Sequence, residues 1–163
     1  MNRLIKQSIK LRLLVVFMLA VNPVFAQETD RAGLMAAARM AGDYLVRMQL
    51  EDGSFHYSYD PVEDRTSRQT YNIVRHAGTV YSLFELYNAT REARYLDAAR
   101  RGALYLKTRF RPAREKGAVY VIDNDGKAKL GAAGLALLAL ARQIELDPTS
   151  ADRKSAEKLA KAQ

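Results

Sequence analysis

The residues with chemistry to offer gather between positions 56 and 82. Read as one helix, Arg68, Asn72, Arg75, Thr79 and Ser82 recur at spacings of four, three, four and three, which places them on a single face. His76 lies beside that stripe. A polar stripe on an otherwise apolar helix can bind hydroxyls or carboxylates. Arg75 would be its bidentate anchor for a uronate, because a guanidinium fork matches a carboxylate. The same residues could equally serve helix-to-loop hydrogen bonds, since buried polar groups need partners in either case. His76 is the better of the two histidines for proton transfer, provided its pKa stays near neutrality. A packing role with both nitrogens satisfied is the alternative.

His56, Tyr57, Tyr59 and Tyr71 flank the stripe. Aromatic rings there can stack on sugar faces, line an apolar pocket or form a small loop core. Asp60, Glu63, Asp64, Asp123 and Asp125 fall in two connecting segments. Glycoside hydrolysis needs two carboxyls facing each other across a scissile bond, and two loops on one rim can supply such a pair. Asp60, Glu63, Asp123 and Asp125, with His76, are therefore the candidate acid–base groups. Tyr57, Tyr59, Tyr71, Asn72, Arg75 and Thr79 are the candidate substrate-binding groups.

Several reaction classes lack their residues. The sequence has no nucleophile elbow, no P-loop, no dinucleotide fingerprint and no His-Glu-x-x-His pair. It contains no cysteine and two histidines, so a cysteine-and-histidine zinc site cannot be assembled. We expect no cofactor and no metal.

The first 26 residues differ in character from the rest. Arg3, Lys6, Lys10 and Arg12 precede an apolar run from Leu13 to Val21, and Pro23 leads to Val24-Phe25-Ala26. That is the layout of a secretory signal peptide cleaved after Ala26, and the apolar run is too short for a bilayer span. The expected domains are a leader over 1–26 and one helical domain over 27–163. The chain carries 26 basic and 18 acidic residues, a net +8. Removing the four basic residues of the leader leaves 22 against 18, or +4. The remaining cations are spread along the sequence and give no nucleic-acid footprint. The expected location is periplasmic or secreted, without a stable membrane anchor.

The elements that must position these residues are helices. Thr29 or Asp30 can cap a first helix reaching about Leu50, with apolar residues at Leu34, Ala38, Ala41, Leu45 and Met48. A long polar and aromatic connection spans 51–68. A second helix is expected over about 69–87, and Thr90 can cap a third that runs to about Phe110 and ends at Pro112. Val119-Tyr120-Val121 and the Asn124-Asp125-Gly126 turn signal indicate a short hairpin or extended loop. A fourth helix over about 130–146 is apolar nearly all round and should be buried on most sides. A polar fifth follows from near Ser150. Short links make consecutive helices antiparallel, so both long loops should share one end.

An internal echo supports paired helices. Ala37-Ala38-Arg39 with Tyr44-Leu45 returns 61 residues later as Ala98-Ala99-Arg100 with Tyr105-Leu106. Around the first copy, Ala41, Tyr44, Leu45, Gln49, Gly53 and Phe55 keep a fixed spacing. Gly53 can take positive φ and stop the helix, Phe55 can fold back over its end, and Gln49 can bond the orphan carbonyls or the loop. Asp52 fits a turn residue that bonds its own backbone.

This spaced pattern resembles the repeat of the terpenoid cyclase and protein prenyltransferase (α/α) toroids. In that repeat a small residue, an aromatic-Leu pair, a Gln, a Gly and a Trp follow one another at these intervals. Phe55 stands at the Trp position, and Met40 replaces the usual basic residue. Arg101-Gly102 with Tyr105-Leu106 matches the first half again, with Phe110 in place of the Gln. The Gln-x-x-Asp-Gly-Ser-aromatic turn is also similar to that of six-hairpin glycosidase-like and polysaccharide lyase proteins. The resemblance implies an all-α fold of antiparallel helical hairpins, part of an (α/α) toroid, with short β-hairpin-like loops at one rim. It assigns structural roles to Tyr44, Gln49, Asp52, Gly53 and Phe55. The Asp-rich protonation motif of triterpene cyclases is not matched by Asp123-Asn124-Asp125.

Export, the repeat and the aromatic, polar rim together lead to the expectation of a carbohydrate-handling protein, glycosidase- or lyase-like if it is an enzyme, with a polysaccharide or oligosaccharide as partner. An isoprenoid-binding, terpene-cyclase-like protein and a non-catalytic helical scaffold are the alternatives. A full ring needs more helices than this sequence supplies. It therefore reads as part of a longer protein or, if whole, as one that forms a homo-oligomer.

Overall fold

A computed structural model describes residues 30–67, 71–148 and 152–161. It separates into two compact units, Met1–Ala36 and Ala37–Gln163. The leader, Arg68 and Gln69 lie outside the described residues. In the first unit the described residues open helix α1 (Arg31–Arg47). The Asp30 carboxylate accepts the Gly33 N–H at 3.0 Å, which satisfies one of the orphan donors of the first turn.

The second unit holds the rest of α1, then α2 (Ile73–Thr90), α3 (Ala93–Lys107), α4 (Leu130–Leu146) and α5 (Arg153–Ala160). Between α1 and α2 lies the antiparallel hairpin β1 (Ser58–Asp60) and β2 (Arg65–Ser67), with Tyr59 opposite Thr66. Between α3 and α4 lies a second, β3 (Phe110–Pro112) and β4 (Val119–Val121), with Arg111 opposite Tyr120. The described residues thus form a helix-rich protein with two small antiparallel hairpins.

Two buried clusters fix the helix directions. The first joins Val80, Leu83 and Phe84 of α2 to Tyr95, Ala98 and Ala99 of α3 and to Ala139 of α4. The second joins Ile73 and Ala77 of α2 to Leu106 of α3, to Ala132, Ala133 and Ala136 of α4 and to Leu159 of α5. The start of α2 therefore meets the end of α3 and the start of α4. So α2 and α4 run parallel, while α3 runs against them. Leu45 of α1 packs on the first cluster.

Several boundaries differ from the sequence expectation, each for a local reason. Helix α2 begins at Ile73 because Asn72 is its cap: the Asn72 Oδ1 accepts the Arg75 N–H at 3.1 Å. Thr90 closes α2 instead of capping α3. Its hydroxyl donates to the Leu86 carbonyl at 2.8 Å, and Arg91 takes the left-handed φ of 59° that turns the chain. Helix α3 stops at Lys107, and Pro112 sits in the short edge strand β3. The 124–126 turn forms as expected, bridged by Ile122 and Ala128 with Gly126 at φ 76°.

Helix α4 corrects the expectation of burial on most sides. One face is buried, and it is made mostly of small residues: Ala132, Ala133, Ala136 and Ala139. Small side chains let α4 approach α2 closely, so Gly131 faces Val74 and Gly78 faces Leu135. Leu130 and Leu138 lie outside that seam and stay 73% and 51% exposed.

Candidate functional site

Both long connections converge on the first turn of α2. From the first, the Phe55 N–H donates to the Tyr71 hydroxyl at 3.2 Å. From the second, the buried Asp123 carboxylate accepts the Ile73 N–H at 3.3 Å and the Asn124 N–H at 2.8 Å. This satisfies the expectation that the two loops share one end.

The clasp after α1 is built from the repeat residues. Gly53 has φ +84°, and a Cβ placed on it would lie 2.2 Å from the Arg101 carbonyl oxygen. Only glycine allows that turn and that approach to the α3 backbone. The Gln49 amide nitrogen donates to the Ala98 carbonyl at 2.9 Å and to the Gly53 carbonyl at 3.3 Å. Asp52 Oδ1 accepts the Ser54 N–H at 2.9 Å, which closes the turn. Phe55 is buried in the first cluster. Tyr44 is half exposed and faces a cleft.

That cleft, of about 170 Å³, opens where α1 ends beside the start of α2. Tyr44, Met48, Phe55, His56, Tyr57 and Tyr71 form its apolar wall, and Asn72, Arg75 and Thr79 supply its polar groups. Arg75 stacks 5.1 Å over the Tyr57 ring and donates to the Tyr57 hydroxyl at 2.5 Å. Among the described residues it has no carboxylate partner. His56 also lines the cleft, and its Nδ1 is buried without a hydrogen-bond partner among the described residues.

His76 closes the floor. Its Nε2 lies 2.9 Å from the Gly102 carbonyl and its Nδ1 2.6 Å from the Tyr71 hydroxyl. A carbonyl only accepts, so Nε2 carries the proton, Nδ1 accepts, and Tyr71 donates. Burial holds the His76 pKa down to about 4, against the opposing pull of the Gly102 carbonyl and the Asp52 charge. Its rings of contact are Phe55 at 5.3 Å and Tyr105 at 4.9 Å. The expectation of a near-neutral pKa is therefore revised: the ring is neutral, 3% exposed and occupied at both nitrogens.

The candidate acids lie elsewhere. Asp60 turns the first hairpin by accepting the Val62 and Glu63 N–H groups, and Glu63 pairs with Arg65. Tyr59 donates to Asp64 at 3.0 Å, which raises its pKa, and stands on that exposed hairpin outside the cleft lining. Asp125 accepts the Lys127 N–H and pairs with Lys129 at 3.3 Å, so its pKa is lowered. None of Asp60, Glu63, Asp123 and Asp125 lines the cleft. Of the polar stripe, Arg75 and Thr79 line the cleft, Asn72 caps α2 at its lip, Ser82 lies farther along an exposed face, and Arg68 is outside the described residues.

Sequence reasoning missed Tyr105, whose ring meets both Tyr71 and His76. Its place 61 residues after Tyr44 in the echo was the available signal. Among the described residues, no cluster of three or more His, Asp or Glu side chains could hold a metal ion, and no helix is long and apolar enough to cross a membrane.

The fold and site define a helix-rich protein whose loops build one aromatic, arginine-bearing cleft. No family model, curated protein or solved structure matches the chain.

Proposed function

We propose that this is an exported carbohydrate-handling protein of (α/α) toroid type whose cleft recognises a uronate-bearing saccharide. The observation that carries the reading is Arg75. It is held on the Tyr57 ring in an aromatic cleft, bonded to a neutral phenol and to no carboxylate among the described residues. A guanidinium so placed offers its remaining N–H groups to a sugar carboxylate. The neighbouring Tyr44, Tyr57 and Tyr71 rings suit sugar faces, and Asn72, Thr79 and His56 suit hydroxyls. The alternation of antiparallel helices, with parallel α2 and α4, supports the toroid reading, as does the Gln49–Gly53 clasp.

The reading is one of recognition. His76 is neutral and enclosed, and the four candidate acids are engaged in turns, capping or ion pairs outside the cleft, so no acid–base step is assigned to them. The test is calorimetric titration with short uronate oligosaccharides and with neutral oligosaccharides of equal length. Wild type should prefer the acidic series. Arg75→Ala should weaken that binding by about tenfold or more, the scale of a charge-assisted hydrogen bond. Equal affinity for both series, or no loss in the variant, would refute the reading.

A further inference from the structure

Resting on the uronate reading of the cleft, we infer that the cationic strand β3 and its flanks form a second anionic subsite, so that the ligand is a polyuronate chain. Arg109, Arg111, Arg114 and Lys116 fall within eight residues, with Glu115 the one acid among them. Among the described residues none of these cations has a carboxylate partner.

The guanidiniums are oriented by neutral acceptors. Arg109 donates to the Asn124 side-chain oxygen at 2.8 Å and to the Ile122 carbonyl at 3.4 Å. Arg111 donates to the Thr108 and Phe110 carbonyls at 2.9 and 2.8 Å. Each guanidinium has five donors, so several remain for a ligand, and holding the head in advance lowers the ordering cost of binding. Arg109 lies in the turn that leads into β3, and Arg111 lies within the strand with Tyr120 across from it. That is a combination of charge and ring suited to successive acidic sugars.

The segment after β4 is tied to the lip of the cleft. Asn124, which holds Arg109, follows Asp123, and Asp123 accepts from Ile73, the residue after the cleft-lining Asn72. A chain seated on Arg75 would leave the cleft beside Asn72 and meet Arg109 and then Arg111.

The experiment is calorimetry with size-fractionated oligogalacturonates on wild type, Arg75→Ala, and the exposed double variant Arg111→Gln/Arg114→Gln, with matched melting curves. Wild-type affinity should rise with oligomer length. The double variant should lose about tenfold on the longest oligomers, through lost charged contacts. If short oligomers bind through Arg75 but the length dependence survives in the double variant, this inference falls and the cleft reading stands. If no oligomer of any length binds, both fall. Duplex DNA bound as tightly as the long oligomers would mark a generic polyanion surface and overturn the assignment to polyuronate.

Discussion

The Gln49 side-chain oxygen accepts two N–H groups from Arg101, at 3.1 and 2.8 Å. The same side chain donates to the Ala98 carbonyl, so one glutamine ties the end of α1 to two turns of α3. Gln49→Ala should therefore lower unfolding stability by about 1–3 kcal/mol, the cost of several part-buried hydrogen bonds lost together. Arg101→Ala removes only the exposed half and should cost less. Denaturant midpoints rank the two, and equal losses would show that the carbonyl contacts contribute nothing.

Acid should loosen the cleft floor through His76. Its folded pKa of about 4 lies below the ordinary value of 6.5, so the unfolded chain binds the proton more readily. Stability is thus fully present above pH 6.5 and is lost as pH falls toward 4, by about 3 kcal/mol from this group. Protonating Nδ1 also removes the acceptor for Tyr71. The difference in stability between wild type and His76→Gln should narrow across that window. A constant difference would mean that His76 is not the titrating group.

Glycine substitutions should separate by sign. A Cβ on Gly42 would lie 2.2 Å from Leu86 Cδ2 and 2.9 Å from the Tyr95 ring, and one on Gly134 meets nothing within 4 Å. Gly42→Ala should destabilise by about 1–3 kcal/mol through overpacking. Gly134→Ala should stabilise by about 0.5–1 kcal/mol, because alanine is the better helix former. Thermal melts of the two variants decide both.

Asp123 should behave as a cap. Asp123→Ala removes the acceptor for Ile73 N–H and should cost about 0.5–2 kcal/mol, while Asp123→Asn keeps an oxygen and costs less. Amide exchange at the first turn of α2 should quicken in the alanine variant. Unchanged exchange there would sever the second loop from the cleft lip.

Much of this architecture was legible in the sequence because it is local. The helical spacing of Ala38, Ala41 and Leu45, the positive φ of Gly53 and the Asn124–Gly126 turn follow from short-range rules. The burial of α4 was misjudged because average apolarity does not say which face packs. The alanines take the seam, and Leu130 and Leu138 face outward. The site was half legible. Arg75, Thr79, Tyr57 and Tyr71 were named from one segment and do meet at the cleft. The state of His76 was not legible, since its desolvation depends on Gly102 and Tyr105, contacts that only the packed α3 supplies. The roles of Asp60 and Asp123 also depend on backbone amides that no spacing rule names.

The cap on Ile73 comes from fifty residues downstream. During synthesis, α2 therefore leaves the ribosome with its first turn unfinished and waits for the second hairpin to be translated. A nascent chain halted before Asp123 should be cut by protease near the cleft, and one released after α4, at Leu146, should resist, because Ala132, Ala133 and Ala136 then cover Ile73 and Ala77. The order of synthesis thus makes the cleft one of the last parts to mature.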